Sequence, residues 1–212
     1  MATTLIFDLD GTLTDPAEGI VNCFVHALAE FGYPAAERDA ICEGIGPPLD
    51  TNFKRLTGET DEARISELVV CYRERYNVSG YAENTMYPGI PEALETLAAR
   101  GVRLGVCTSK RVDFAERILE MFELRHFFDF VDGGDVGITK ASQLGGLLAT
   151  GAIDARAVMI GDRAIDIESA SANGLAGVGV LWGFGDRAEL EAASPVRIVA
   201  TVAELTELAP AR

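Results

Sequence analysis

The chain opens on an apolar run, Leu5-Ile6-Phe7, that breaks off at Asp8-Leu9-Asp10-Gly11-Thr12. A short apolar run bounded by turn residues reads as a buried strand. After Asp15-Pro16 the spacing turns helical: Ile20, Val21, Phe24, Val25, Leu28 and Phe31 recur at helical intervals and the pattern stops near Gly32. Two further helical stretches follow, over about 48–56 and 60–76, the second striped by Ile65, Leu68, Val69 and Tyr72. No strand pattern is visible between Asp15 and Tyr81, so residues 16–84 read as an all-helical insertion.

Beyond Pro88-Gly89 the pattern alternates. Helices are expected over 90–100, 112–122, 141–150 and 165–173, and short β-rich runs over 102–107, 128–131, 157–160 and 177–181, with a weaker one at 196–199. Such alternation implies βα units and a parallel sheet covered by helices on both faces. The fold class expected is therefore α/β, a doubly wound parallel sheet built from residues 1–15 and 85–212, interrupted by an all-helical domain at 16–84.

Polar residues fall into register with those strands. Residues two apart in an extended segment project to one side, so Asp8 and Asp10 converge just beyond the first strand. Two carboxylates that close repel each other, and a low-dielectric crevice strengthens the repulsion until a cation or a shared proton relieves it. Thr108-Ser109-Lys110 follows the second strand, Gly161-Asp162-Arg163 the fourth, and Lys140 lies near the start of a helix. Ligands of open α/β sheets bind outside the carboxyl ends of the strands, where these separate segments can meet.

Charge narrows the partners. Eighteen basic and thirty-three acidic residues give a formal net charge of −15, which repels nucleic acid and anionic membrane surfaces at long range. A small anionic substrate has to be drawn in by local positive charge, from a metal or a few placed Lys and Arg side chains. The residues before Leu5 do not read as a signal or transit sequence, and no apolar run approaches the length that spans a bilayer, so a cytoplasmic protein is expected. Cys23, Cys42, Cys71 and Cys107 form no C-x-x-C pair, which suggests neither a zinc site nor a disulfide framework. Also missing are the C-x-x-x-x-x-R of cysteine phosphatases, the G-x-x-x-x-G-K-[ST] nucleotide loop and the G-x-S-x-G elbow.

With FDLDGT at Asp8 and Asp10, CTSK at Thr108, then Lys140, then GDRAID at Asp162 and Asp166, the chain resembles a haloacid dehalogenase superfamily phosphatase. The group it resembles is the one with a helical cap inserted after the first motif, phosphoglycolate phosphatase-like, on a Rossmannoid core. The resemblance covers nearly the whole chain and implies a role for each position. Asp8 would be the nucleophile, forming an aspartyl-phosphate, and Asp10 would protonate the leaving oxygen and then activate water. Thr108, the Ser109 amide and Lys140 would hold the phosphoryl oxygens. Asp8, the Asp10 carbonyl and Asp162 would bind Mg²⁺, with Asp166 supporting the metal's waters or Lys140.

The chemistry demands the whole set. Phosphate monoester hydrolysis needs roughly 20 kcal/mol or more of barrier lowering, whereas acid–base help supplies about 10²–10⁴-fold. Mg²⁺ suits oxygen ligands of this kind. Asp10 argues for phosphoryl transfer over dehalogenation, because a halide needs no proton to leave. Lys110 competes with Lys140 for the cationic role.

The cap is expected to set specificity. Gly44-Ile45-Gly46-Pro47-Pro48 resembles the family's specificity loop, so Gly46 and Pro47 are candidates, as are Lys54, Arg55, Arg73 and Arg75 for a second anionic group. The expected function is Mg²⁺-dependent hydrolysis of a small phosphorylated metabolite. Three alternatives stand beside it: a 5′-nucleotidase-type phosphatase, a sugar-phosphate mutase, and a phospho-accepting signalling receiver. The motif order opposes the receiver, since the acidic pair opens the chain and Lys140 precedes Asp162.

Overall fold

The computed structural model describes residues 4–134 and 137–209, so the ends of the expected core segments, at residues 1–3 and 210–212, lie outside it. The chain divides into two units, one of residues 1–14 and 86–212 and the other of residues 15–85. The first is an α/β unit around a six-stranded sheet. Its first strand, β1 (Thr4–Phe7), is buried along its whole length. The two chain crossings between units, β2 (Thr14–Asp15) and β3 (Thr85–Met86), pair as a small two-stranded sheet.

Four helices make up most of the second unit: α1 (Ala17–Glu30), α2 (Arg38–Cys42), α3 (Leu49–Thr57) and α4 (Glu62–Arg75), the last running into a π-helical turn at Tyr76–Gly80. Its core is aromatic. Phe24 lies 4.7 Å from Phe53 and 4.9 Å from Tyr72 between ring centroids, and Tyr72 stacks on Tyr76 at 5.8 Å. The helical periodicity of 20–31 points Phe24 inward, and Asp61 caps α4 by accepting the Ala63 amide. The Arg75 guanidinium donates to both oxygens of Glu83, at 2.9 and 3.1 Å, and Glu83 also accepts from Asn22.

In the α/β unit α5 (Ile90–Ala99) leads to β4 (Arg103–Arg111), α6 (Val112–Met121) to β5 (Phe130–Gly134), and α7 (Lys140–Ala149) to β6 (Val158–Gly161). Then come α8 (Ala164–Ala172), β7 (Ala176–Val180), α9 (Arg187–Ala192), β8 (Arg197–Val199) and a 3₁₀ turn at Val202–Leu208. The strand order is β5-β4-β1-β6-β7-β8, every pair parallel. Leu5 is partnered by Leu104 on one side and Val158 on the other, which makes β1 central. Strand order reverses at β1, and right-handed crossovers then put α5 and α6 on one face and α7, α8 and α9 on the other. Ile6, Cys107 and Met159 from the sheet pack with Leu144, Leu147 and Ala170 from α7 and α8.

Several elements differ from the sequence expectation. β4 runs four residues beyond Cys107 because the backbone continues alongside β5, with a register shift between Thr108 and Arg111. Thr108 is thus paired within the strand, with Gly133, and Ser109 and Lys110 form the irregularity before pairing resumes at Arg111. The weak run at 196–199 is a true sixth strand, bonded to β7. α2, α9 and the π turn carry no sequence expectation. Among the described residues no helix is long and apolar enough to cross a membrane, and all four cysteines are free thiols.

Candidate active site

The carboxyl ends of β4, β1 and β6 lie side by side at the point where strand order reverses. Asp8 follows β1 directly, and its amide extends the ladder to the Ile160 carbonyl at 2.9 Å. One carboxylate oxygen accepts the Leu9 amide at 2.7 Å, and the other lies 2.8 Å from the Lys140 ammonium. Lys140 is the first residue of α7, behind the Thr139 cap, and is 3% exposed. It is also ion-paired with Asp166. Burial alone would lower the Lys140 ammonium, but Asp166 and Asp8 outweigh it and hold it above the ordinary lysine range.

Asp162 follows β6 and is wholly buried. Its oxygens accept from the Thr12 hydroxyl at 3.2 Å and the Phe184 amide at 2.8 Å. Burial, then the nearby Asp166 and Asp8 carboxylates, push its carboxyl up to about 8. Asp166, in the first turn of α8, is pushed up to about 6 by burial against the opposing pull of Lys140. Asp8, Asp162 and Asp166 each offer an oxygen within 4.8 Å of the others.

Asp10 points one oxygen at the Lys110 ammonium, 2.8 Å away, while its buried Oδ1 has no partner among the described residues. Burial raises its carboxyl above the usual range, with Lys110 opposing. Both lysines are therefore engaged, Lys140 with Asp8 and Lys110 with Asp10. Thr108 is buried at the end of β4, its hydroxyl accepting the Lys110 amide at 3.3 Å. Ser109 is exposed on the same strand end. Directly beneath, burial pushes the Cys107 thiol up to about 12, which makes it a core residue rather than a nucleophile.

The donor set fits Mg²⁺. Four carboxyl groups, at Asp8, Asp10, Asp162 and Asp166, gather around two ammonium groups, and burial with mutual repulsion raises Asp162, so their full ionisation calls for further positive charge. The carboxylate oxygens of Asp8, Asp162 and Asp166, clustered within 4.8 Å of one another, are hard donors that suit a hard divalent cation.

Three contributors carry no sequence expectation. Thr12 and the segment Trp182-Gly183-Phe184 fix Asp162, and the Trp182 indole donates to the Thr12 carbonyl at 2.9 Å. Gln143 is buried one turn after Lys140 and donates to the Thr108 carbonyl at 3.2 Å and to Asp132 at 2.7 Å. The glycines of the stretch 179–185, placed after a parallel strand, were the available signal for the first group. Gln143 had none, since nothing local distinguishes a polar residue on a helix's core face from one in solvent.

The cap candidates belong to the helical unit. Gly46 and Pro47 are exposed on a loop held from inside by Asn52, whose amide donates to the Gly44 carbonyl at 2.5 Å. Lys54 is paired with Glu62, Arg55 with Glu43 and the Ala40 carbonyl, and Arg75 with Glu83. These three are committed to structural partners. Arg73 has no ion pair among the described residues.

Residues 5–180 match the family described as haloacid dehalogenase-like hydrolase. A Pseudomonas aeruginosa protein named 5′-nucleotidase is 41% identical over 208 residues, covering 96% of this chain and 94% of its own. Tyrosine-protein kinase PtkA of Mycobacterium tuberculosis is 38% identical over 210 residues, 96% of this chain and 71% of its own. A solved structure described as a predicted phosphatase from Clostridium acetobutylicum superposes with a TM-score of 0.90 at 35% identity, over 98% of this chain and 97% of the other. The chain belongs to the haloacid dehalogenase-like hydrolase family, as an enzyme of its phosphatase group.

Proposed function

We propose that the protein is a Mg²⁺-dependent hydrolase of small phosphate monoesters that works through an aspartyl-phosphate on Asp8. The observation that carries this reading is the pairing of the Asp8 carboxylate with the buried Lys140 ammonium at 2.8 Å, beside Asp162 and Asp166 and two residues from Asp10. Lys140 orients Asp8 through their 2.8 Å ion pair. A carboxylate oxygen of Asp8 bonds to phosphorus as the ester P–O bond breaks, and Asp10 gives the departing alkoxide its proton. Water then attacks the same phosphorus, Asp10 takes up its proton, the bond to Asp8 breaks and inorganic phosphate leaves.

Thr108 and the Ser109 amide steady the phosphoryl oxygens at the end of β4, and Lys140 offsets their charge. Asp8 and Asp162 would hold Mg²⁺ together with the Asp10 carbonyl, while Asp166 serves Lys140. When bound, the ion supplies positive charge against the carboxylates and the phosphoryl group. Burial of Asp10 favours its protonated form, and Lys110 favours the ionised one, so the residue is poised to pass a proton in both directions.

For the substrate, two readings have support. The phosphoglycolate reading rests on relatives of that name, such as the Agrobacterium fabrum protein at 31% identity over 189 residues. A nucleoside monophosphate is favoured by the higher identity to the Pseudomonas 5′-nucleotidase. The helical unit at 15–85 is proposed to act as the cap that discriminates between them, through the Gly46-Pro47 loop and Arg73 rather than through Lys54, and the cytoplasm is the proposed setting. Phosphate release from phosphoglycolate, sugar phosphates and nucleoside monophosphates, with and without Mg²⁺, tests the function. Metal-dependent turnover that Asp8→Asn abolishes supports it and ranks the substrates. Turnover that survives Asp8→Asn or chelation contradicts it.

A further inference from the structure

Asp162 is held by more than its own loop. The turn after β1 is tight: the Leu13 and Thr14 amides both donate to the Leu9 carbonyl, and the Gly11 amide donates to the Thr14 carbonyl at 2.8 Å. That turn aims the buried Thr12 hydroxyl at one oxygen of Asp162. From the other side the segment after β7 brings the Phe184 amide to the second oxygen. A Cβ at Gly11 or at Gly183 would overlap the Asp162 carboxylate, so both backbones are in close contact with it. The two sides are tied to each other by one bond, from the Trp182 indole N–H to the Thr12 carbonyl at 2.9 Å.

We propose that Trp182 is a positioning residue for the metal ligand Asp162, acting through Thr12. The inference rests on the Mg²⁺ reading above. Partners behind a metal ligand fix its orientation, and their loss typically weakens metal binding by about 10–100-fold. Here each oxygen of Asp162 accepts a hydrogen bond, from the Thr12 hydroxyl and the Phe184 amide, and the two together fix its rotamer. Releasing the indole bond leaves the Thr12 turn free to shift relative to the segment at 182–185, and with it the hydroxyl that orients Asp162.

Trp182 is the chain's one tryptophan, so its single indole N–H resonance reports on this bond without ambiguity. The test is Mg²⁺ binding by calorimetry to the wild-type protein, Trp182→Phe and Asp162→Asn, alongside that resonance in the wild-type protein. The expected result is that Asp162→Asn loses binding, Trp182→Phe binds about ten-fold or more weakly, and the indole resonance shifts with the calorimetric midpoint. If Trp182→Phe binds Mg²⁺ as the wild-type protein does while Asp162→Asn does not, the inference is overturned and the metal reading stands. If the wild-type protein binds no Mg²⁺, or Asp162→Asn binds it normally, the metal reading falls and takes the inference with it. Should Trp182→Phe fail to fold, the resonance decides: a shift on Mg²⁺ addition supports the proposal and an unmoved resonance refutes it.

Discussion

Lys140 shows how a single buried charge organises the site. Its ammonium lies among Asp8, Asp166 and the wall of the core, where an unpaired charge of any kind is costly. Removing it strands two carboxylates. Lys140→Met, which keeps the length and loses the charge, is expected to cost about 3–5 kcal/mol at neutral pH, the usual penalty for breaking one side of a buried pair. Part of that loss should return on acidification, as Asp166, already raised to about 6 by burial, takes up a proton. Urea unfolding at pH 7 and pH 5 measures both; an undiminished stability at pH 7 would mean that the pair is not what holds Asp8. The sequence brought Lys140 and Lys110 forward as competitors for one task; in the structure Lys140 pairs with Asp8 and Lys110 with Asp10. Which of the two aspartates after β1 each lysine meets is a tertiary fact with no local trace.

At the scale of elements, the strand ends that carry chemistry were legible because chemistry breaks the local pattern. An apolar run that stops at two aspartates, or at Gly161-Asp162, marks a strand's end and a candidate site residue at once. Elements without such marks went unseen for a different reason. α2 is five residues and α9 six, too short for a helical period to repeat, and the π turn at Tyr76–Gly80 differs from an ordinary helix end only in its hydrogen bonding. The segment 181–185 carries no such mark, although the backbone at Gly183 and Gly185 lies in close contact with Asp162.

The turn after β1 invites a test of its own. Gly11 has φ +80°, in the left-handed region, and its missing side chain makes room for the Asp162 carboxylate. Gly11→Ala is expected to lose about 1–2 kcal/mol from backbone strain alone and more from displacing Asp162. Thermal melting should show the loss, and it should be larger than for Gly101→Ala, where φ is also positive and open space surrounds the Cβ position. Equal losses would mean that the carboxylate does not constrain the turn.

For the molecule as a whole, the buried carboxyl groups of the site make stability depend on pH. Asp162 is raised in the folded protein from 3.8 to about 8. A group whose folded pKa exceeds its unfolded value binds more protons when folded, so its stabilising contribution is complete below about pH 4 and is lost as pH rises through the folded value near 8. Asp166, raised to about 6, acts in the same direction over a lower window. The metal-free protein should therefore melt at a lower temperature at pH 9 than at pH 6. Mg²⁺ binds the ionised carboxylates, so its stabilising effect should be greater at pH 9. Asp162→Asn should flatten both dependences. A metal-free melting temperature that rises between pH 6 and pH 9, or that Asp162→Asn leaves unaltered in slope, would contradict this.

The overall acidity was informative in the same way. A net charge of −15 implies that an anion approaches only where positive charge is concentrated; Lys110 and Lys140 are the cations beside the carboxylate cluster, each paired with an aspartate, so further positive charge has to come from an ion held by the cluster. What composition and motif could not reach was the geometry within each unit, because side-chain partners such as Gln143 with Thr108 or Trp182 with Thr12 join residues far apart in the chain.

The central claim is that phosphorus becomes bonded to Asp8. Rapid acid quench of the Mg²⁺-loaded protein turning over a phosphomonoester, followed by intact mass and peptide mapping, tests it directly. The account predicts a transient adduct of one phosphoryl group on the peptide bearing Asp8, absent from Asp8→Asn. Turnover with no adduct, or an adduct on another residue that persists in Asp8→Asn, would contradict it.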